Sequence, residues 1–96
     1  MPYLHIQLPD GTTAAQEITG VVTIGRSPDN VLIIDDGSVS SFHAKIDTSS
    51  AGIYLTDLFS SNGSFVNGSR IMTHKLEHGD QVRLGNVQCV FSLAEA

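Results

Sequence analysis

Apolar residues recur at alternate positions in short runs along this chain, and turn-forming residues interrupt the runs roughly every ten positions, the pattern of an all-β sandwich or barrel. Alternation at period two puts one face of each run toward a core. The runs at residues 3–8, 14–18, 21–25, 31–35, 43–48, 52–57, 64–66, 69–71, 81–85 and 87–93 are predicted strands. Helical periodicity is nearly absent, and the total comes to about eleven short strands. PDGT at 9–12 and SSA at 49–51 are expected to turn the chain between neighbouring strands.

The segment SSNGSFVNGS, residues 60–69, holds two Asn-Gly pairs five positions apart. Asn-Gly suits a two-residue hairpin turn, in which both central residues take φ > 0. Asn67-Gly68 lies between SFV and SRI, where such a turn belongs. Asn62-Gly63 lies in a longer link with no strand pair to serve, so its side chain is free for other work.

Composition narrows the function classes. The chain has 96 residues, 41% of them apolar, which suits one folded domain and excludes a disordered segment. Residues 1–93 are expected to form that domain, with 94–96 a frayed tail. Ten acids against five bases give a net charge of −5. That argues against nonspecific binding to nucleic acid or anionic lipid, which needs basic density. No run approaches the length of a membrane span, and the N-terminus lacks a signal peptide's basic start. A cytosolic location is the resulting expectation. The single cysteine, Cys89, excludes an internal disulfide and sits in the apolar run VQCVFSL, where a core position is expected.

The polar loop residues fall into three clusters: Gly25-Arg26-Ser27, SVSSFH at 38–43, and SSNG at 60–63. In a sandwich, loops from different strands gather at one end. Together these would assemble one guanidinium, several hydroxyls, one amide and nearby backbone N–H groups, with no acid within the clusters. That inventory suits a phosphate ester. Ser-rich loops are also common as plain solvated turns.

The order and spacing add specificity. TIGRSPDNVLIIDDGSVSSFHAKI, LTDLFSSNGSFVNGSRI and LEHGDQVRLG together resemble the forkhead-associated (FHA) family, from Gly25 to Gly85, about two-thirds of the chain. The family's pattern is Gly-Arg, Ser-x-x-His, Asn-Gly followed by a hydrophobic residue and a second Asn-Gly, then Gly-Asp and Leu-Gly. The resemblance implies an eleven-stranded β-sandwich that binds phosphothreonine peptides through loops at one end. Arg26, Ser40 and Ser61 match the family's phosphate-binding positions, and Asn62 matches the asparagine that holds the peptide backbone. His43, Gly25, Gly63, Ser41 and Asn67 are then supporting residues, with His43 fixing the loops and both glycines permitting unusual backbone. Many members carry Arg or Lys where this chain has Ser41, so a second cation is missing, and Lys45 or Arg70 could replace it. Asp35 and Asp36 lie close enough to repel an acidic ligand.

Two other classes compete with this one. A phosphate-independent structural or oligomerising domain keeps the fold and drops the ligand. A hydrolase using Ser40, His43 and Asp57 would need a strained nucleophile and an oxyanion hole, which the sequence does not suggest. HKLEH at 74–78 fits a zinc-protease pattern, but that chemistry requires a helix, and Gly79 follows at once. Both NGS sequons read better as turns. No cofactor, metal or catalytic residue is expected, the partner implied by the resemblance is a phosphothreonine-containing protein or peptide, and the sequence leaves oligomeric state open.

Overall fold

The computed structural model describes residues 1–93, and the tail at 94–96 lies outside them. Among the described residues there are eleven strands and no helix. No helix long and apolar enough to cross a membrane therefore occurs among the described residues. The strands are β1 (Tyr3–Gln7), β2 (Thr13–Glu17), β3 (Val21–Gly25), β4 (Leu32–Ile33), β5 (Ala44–Ser49), β6 (Gly52–Asp57), β7 (Ser64–Val66), β8 (Ser69–Ile71), β9 (Thr73–Lys75), β10 (Gln81–Leu84) and β11 (Val87–Ser92). They form a six-stranded sheet in the order β2-β1-β11-β10-β7-β8 and a five-stranded sheet in the order β4-β3-β5-β6-β9. The result is an eleven-stranded all-β sandwich, one of the two architectures the residue pattern allows and the one the FHA resemblance implies.

Alternation explains the packing. In β10, Val82 and Leu84 are buried while Gln81 and Arg83 face outward. In β11, Val87, Cys89 and Phe91 point inward. Leu4, Ile24, Ile46, Leu55, Leu84 and Phe91 are completely buried and come from both sheets. Each such side chain contributes on the order of 1.5–3 kcal/mol by leaving water. Burial pushes the Cys89 thiol up to about 12, so it stays protonated and packs as a small apolar group.

Some boundaries differ from the sequence reading. The run at 31–35 yields only Leu32 and Ile33 as strand, paired in parallel with Ile24 and Gly25. Flanking polar groups divert the rest: the Val31 N–H donates to Thr23 Oγ1, and Asp36 begins the next turn. Leu8 leaves β1 because its N–H bonds Thr12 across the tight turn. The HKLEH segment contributes His74 and Lys75 to a strand, not to a helix.

The registers fix which loops meet. Gly25 closes β3, and Ala44 opens β5 opposite Asp57, the last residue of β6. Ser64 opens β7 opposite Leu84, which closes β10. Residues 26–31, 34–43, 58–63 and 85–86 therefore lie at one end of the sandwich. The Asn67-Gly68 turn lies at the other, with Asp80 and Gln81.

Candidate functional site

Ser40 is the junction of the three polar clusters. Its carbonyl accepts the Arg26 N–H at 2.9 Å, and its hydroxyl oxygen accepts the Ser61 N–H at 3.1 Å. Its own N–H donates to His43 Nδ1 at 3.1 Å. Because Nδ1 accepts, Nε2 carries the hydrogen and donates to the Gly63 carbonyl at 2.9 Å. His43 is 0% exposed, and its backbone bonds Ile24 and Leu58. One imidazole thus ties residues 40 and 63 to β3 and to the start of the 58–63 loop.

The side chains at the rim are polar and keep hydrogen-bonding capacity to spare. Arg26 and Ser61 are exposed and Ser40 is half-buried. Among the described residues, the Arg26 guanidinium and the Ser61 hydroxyl make no hydrogen bond, and the guanidinium has no ion pair. Asn62 is exposed, and its Nδ2 donates to the Ser38 carbonyl at 2.8 Å. Its Oδ1 takes no hydrogen bond from the described residues. The structure therefore brings Arg26, Ser40, Ser61 and Asn62 together on one rim.

The rim is held from behind. Asp57 accepts the Ser60 and Ser64 hydroxyls at 2.6 Å each, and the Ser60 N–H at 3.1 Å. The Ser60 hydroxyl oxygen in turn accepts the Gly63 N–H at 3.0 Å. Burial alone would raise the Asp57 pKa. The Ser60 and Ser64 hydrogen bonds, with a smaller contribution from His43, outweigh it and hold the carboxyl below its usual range. Gly25 is glycine for lack of room: a Cβ there would collide with the Ser41 carbonyl and approach Asn30 Nδ2 to 2.8 Å. Gly63 has φ 87°, and a Cβ would lie 2.9 Å from Arg70 Nε. The Ser41 carbonyl accepts from Asn30 Nδ2 at 2.7 Å and from the Ser27 N–H at 3.1 Å, while Ser41 itself is exposed.

Three features escaped the sequence reading. Ser38 accepts from Asn62 through its carbonyl and from the Asn86 N–H through its hydroxyl, and donates that hydroxyl to Asp36 at 2.6 Å. The spacing Asp36-x-Ser38 is the available signal, since Asp commonly bonds the backbone two residues on. These bonds from Ser38 lower the Asp36 pKa and engage one of its oxygens within its own turn. Asn30 clamps residues 27 and 41 together, and its bond to Ser41 spans eleven positions, a contact that no local pattern carries. Phe59 is 90% exposed with φ 56°, between the anchored Leu58 and Ser60.

Other sequence candidates are placed elsewhere. Lys45 pairs with Asp47 at 3.6 Å. Ser40, His43 and Asp57 do not form a nucleophile relay: the His43 nitrogens bond the Ser40 N–H and the Gly63 carbonyl, leaving neither for Ser40 Oγ or Asp57. Asn67, at the opposite end, donates Nδ2 to Asp80 and accepts the Gln81 N–H, both at 3.0 Å. His74 lies 3.5 Å from Asp80, and His78 accepts the Leu93 N–H. No group of three or more metal-ligating side chains occurs among the described residues.

Comparison with known proteins places this arrangement in a family. The pattern described as "FHA domain" matches residues 22–85. An ABC transporter ATP-binding/permease protein of Mycobacterium tuberculosis is 40% identical over 73 residues, which is 76% of this chain but 8% of that protein. An FHA domain solved in a study of phosphothreonine-dependent FHA domain interactions superposes with a TM-score of 0.84 at 28% identity, covering 99% of this chain and 98% of its own. EmbR of M. tuberculosis, solved with a low-affinity phosphopeptide, gives a TM-score of 0.85 at 30% identity, covering 99% of this chain and 25% of that one. The family pattern spans well over half of the sequence, and the chain belongs to the FHA domain family.

Proposed function

We propose that residues 1–93 form a phosphothreonine-dependent peptide-binding module in signalling, with the phosphate held by Arg26, Ser40 and Ser61. Asn62 holds the peptide backbone. His43, Gly25, Gly63 and Ser41 shape the rim, and Asn67 holds the far end of the β7–β8 hairpin. The module is non-catalytic and takes no cofactor, nucleic acid or membrane surface.

The observation that carries this reading is the Ser40 junction. One residue bonds the backbones on both flanks, so an unpaired guanidinium and two hydroxyls project from a fixed base. A phosphothreonine brings about −1.5 to −2 charges and three acceptor oxygens. Arginine matches that with a planar fork of donors, and charge-assisted hydrogen bonds are worth roughly 1.5–3 kcal/mol each. The base is already ordered, so binding costs little conformational entropy. The phosphothreonine-dependent interactions of one neighbour and the phosphopeptide bound to EmbR support the same ligand class.

The test is an oriented phosphothreonine peptide library, read against its unphosphorylated twin on the same array. Selective retention of phosphorylated sequences is expected. Equal retention of both sets would move the chain to a phosphate-independent structural or oligomerising role.

A further inference from the structure

A second guanidinium stands beside the proposed site without a hydrogen-bond or ion-pair partner among the described residues. Arg70 lies on β8, opposite Phe65 of β7, and Phe65 is opposite Arg83 of β10. The three side chains form a row across adjacent strands on the outward face. Arg83 covers the Phe65 ring at 3.9 Å and donates to the Gly85 carbonyl at 2.8 Å. Arg70 makes no hydrogen bond or ion pair among the described residues. Its guanidinium reaches toward the loop end and lies against Gly63: a Cβ on Gly63 would be 2.9 Å from Nε and 3.1 Å from Cζ.

Three facts make this more than a solvated charge. The chain carries ten acids and five bases, yet Lys45–Asp47 and His74–Asp80 are the ion pairs among the described residues. No carboxylate of the described residues therefore occupies Arg70. The Gly63 backbone is anchored on both sides, by Ser60 Oγ and by His43 Nε2, so the shelf under the guanidinium is fixed. Finally, Asn62 separates Gly63 from Ser61. The guanidinium thus rests on Gly63, on the far side along the chain of Asn62, the residue proposed to hold the peptide backbone, and the proposed phosphate ligands Ser40 and Ser61 are on the other side. That position suits a ligand residue next to the phosphothreonine.

We propose that Arg70, with Arg83 reinforcing the positive field across Phe65, selects phosphothreonine ligands that carry a carboxylate beside the phosphorylated residue. This rests on the phosphothreonine reading above. A carboxylate matches the guanidinium fork, whereas an amide or apolar side chain at the same place gains no charge-assisted pair. The acidic chain as a whole repels such ligands, so the selectivity is local to this row.

The experiment uses phosphothreonine peptides with glutamate or glutamine scanned through each flanking position, titrated at 0.15 M salt on the wild-type chain, Arg70→Gln and Arg70→Lys. At that salt, charges beyond about 8 Å are largely screened. One flanking position is expected to favour glutamate about five- to ten-fold on the wild type. Arg70→Gln should reduce that preference below two-fold and leave affinity for the all-glutamine phosphopeptide within two-fold. Arg70→Lys should keep part of the preference, having the charge without the fork. A glutamate preference that survives in Arg70→Gln overturns the proposal, as does a wild type with none. If wild type ignores phosphorylation altogether, the phosphothreonine reading falls first and this selectivity falls with it. Thermal melts of each variant serve as the folding control.

Discussion

The two Asn-Gly pairs share a dipeptide and differ in what their side chains do. Asn67 and Gly68 take φ 51° and 88°, the left-handed pair that a tight hairpin turn requires. Asn67 then uses both ends of its amide, donating to Asp80 and accepting from Gln81, while its N–H bonds the Gln81 carbonyl. Asn62 has no positive φ and uses only Nδ2, on the Ser38 carbonyl. One pair closes its hydrogen bonds inside the fold. The other leaves an acceptor open on the rim that carries Arg26, Ser40 and Ser61. The lesson is that a sequence motif names a conformation, and the leftover hydrogen-bonding capacity separates a turn from a contact.

The largest expected effect erases the comparison by loosening the rim itself. His43→Ala removes a completely buried ring and leaves the Ser40 N–H and the Gly63 carbonyl unsatisfied. Cavity and unsatisfied groups together should cost about 3–5 kcal/mol, and phosphopeptide affinity should fall with stability. Denaturant melts beside peptide titrations check this. An unchanged melt with lost binding would make the ring a direct ligand contact.

The comparison sharpens in the two asparagine variants. Asn67→Ala loses two side-chain hydrogen bonds and forces alanine into left-handed φ, so about 2–3 kcal/mol of stability should go. Its peptide affinity should hold. Asn62→Ala should do the reverse, losing several-fold in affinity with a stability change under about 0.5 kcal/mol. Matching profiles for the two would collapse the distinction.

A pH titration reaches the support behind the rim. The folded-state pKa of Asp57 is held below its ordinary 3.8. Its contribution to stability is therefore full above the unfolded value and is lost as pH falls through the lower folded one. Wild-type stability should decline below about pH 3.8. Asp57→Asn should be less stable at neutral pH and should show a shallower acid decline. An unaltered acid slope would mean other carboxylates dominate.

Phe59→Gly is the smallest change. Glycine relieves the left-handed φ but adds unfolded-state freedom, so stability should move by less than about 1 kcal/mol. A larger loss in a melt would show that this exposed ring packs against the fold.

Much of this was legible in advance, for physical reasons. Alternation in the runs that became β1, β5, β6, β10 and β11 reports a buried face directly, and Asn67-Gly68 reports a turn through φ. The clustering of Arg26, Ser40, Ser61 and Asn62 was legible only on the condition that three polar loops share one end of the sandwich, and the strand registers supply that condition. What stayed hidden depends on tertiary contact. The run at 31–35 looks like a full strand, yet Val31 and Ile33 are 56% and 50% exposed, with Leu32 and Ile34 turned inward. The Asn30 clamp, the Ser38 hub and the unpaired Arg70 on Gly63 join residues seven or more apart through side chains that no local period encodes.

The central claim is that the Ser40 junction presents Arg26 to a phosphate. The direct test is titration of one phosphothreonine peptide, and its unphosphorylated twin, on the wild type and on Arg26→Ala. Arg26 is exposed and its side chain makes no hydrogen bond or ion pair among the described residues, so the variant should melt within about 0.5 kcal/mol of wild type. Loss of a forked, charge-assisted pair should weaken the phosphopeptide at least about ten-fold and leave the twin unaffected. A variant that binds the phosphopeptide within two-fold of wild type would contradict the account and place the phosphate elsewhere.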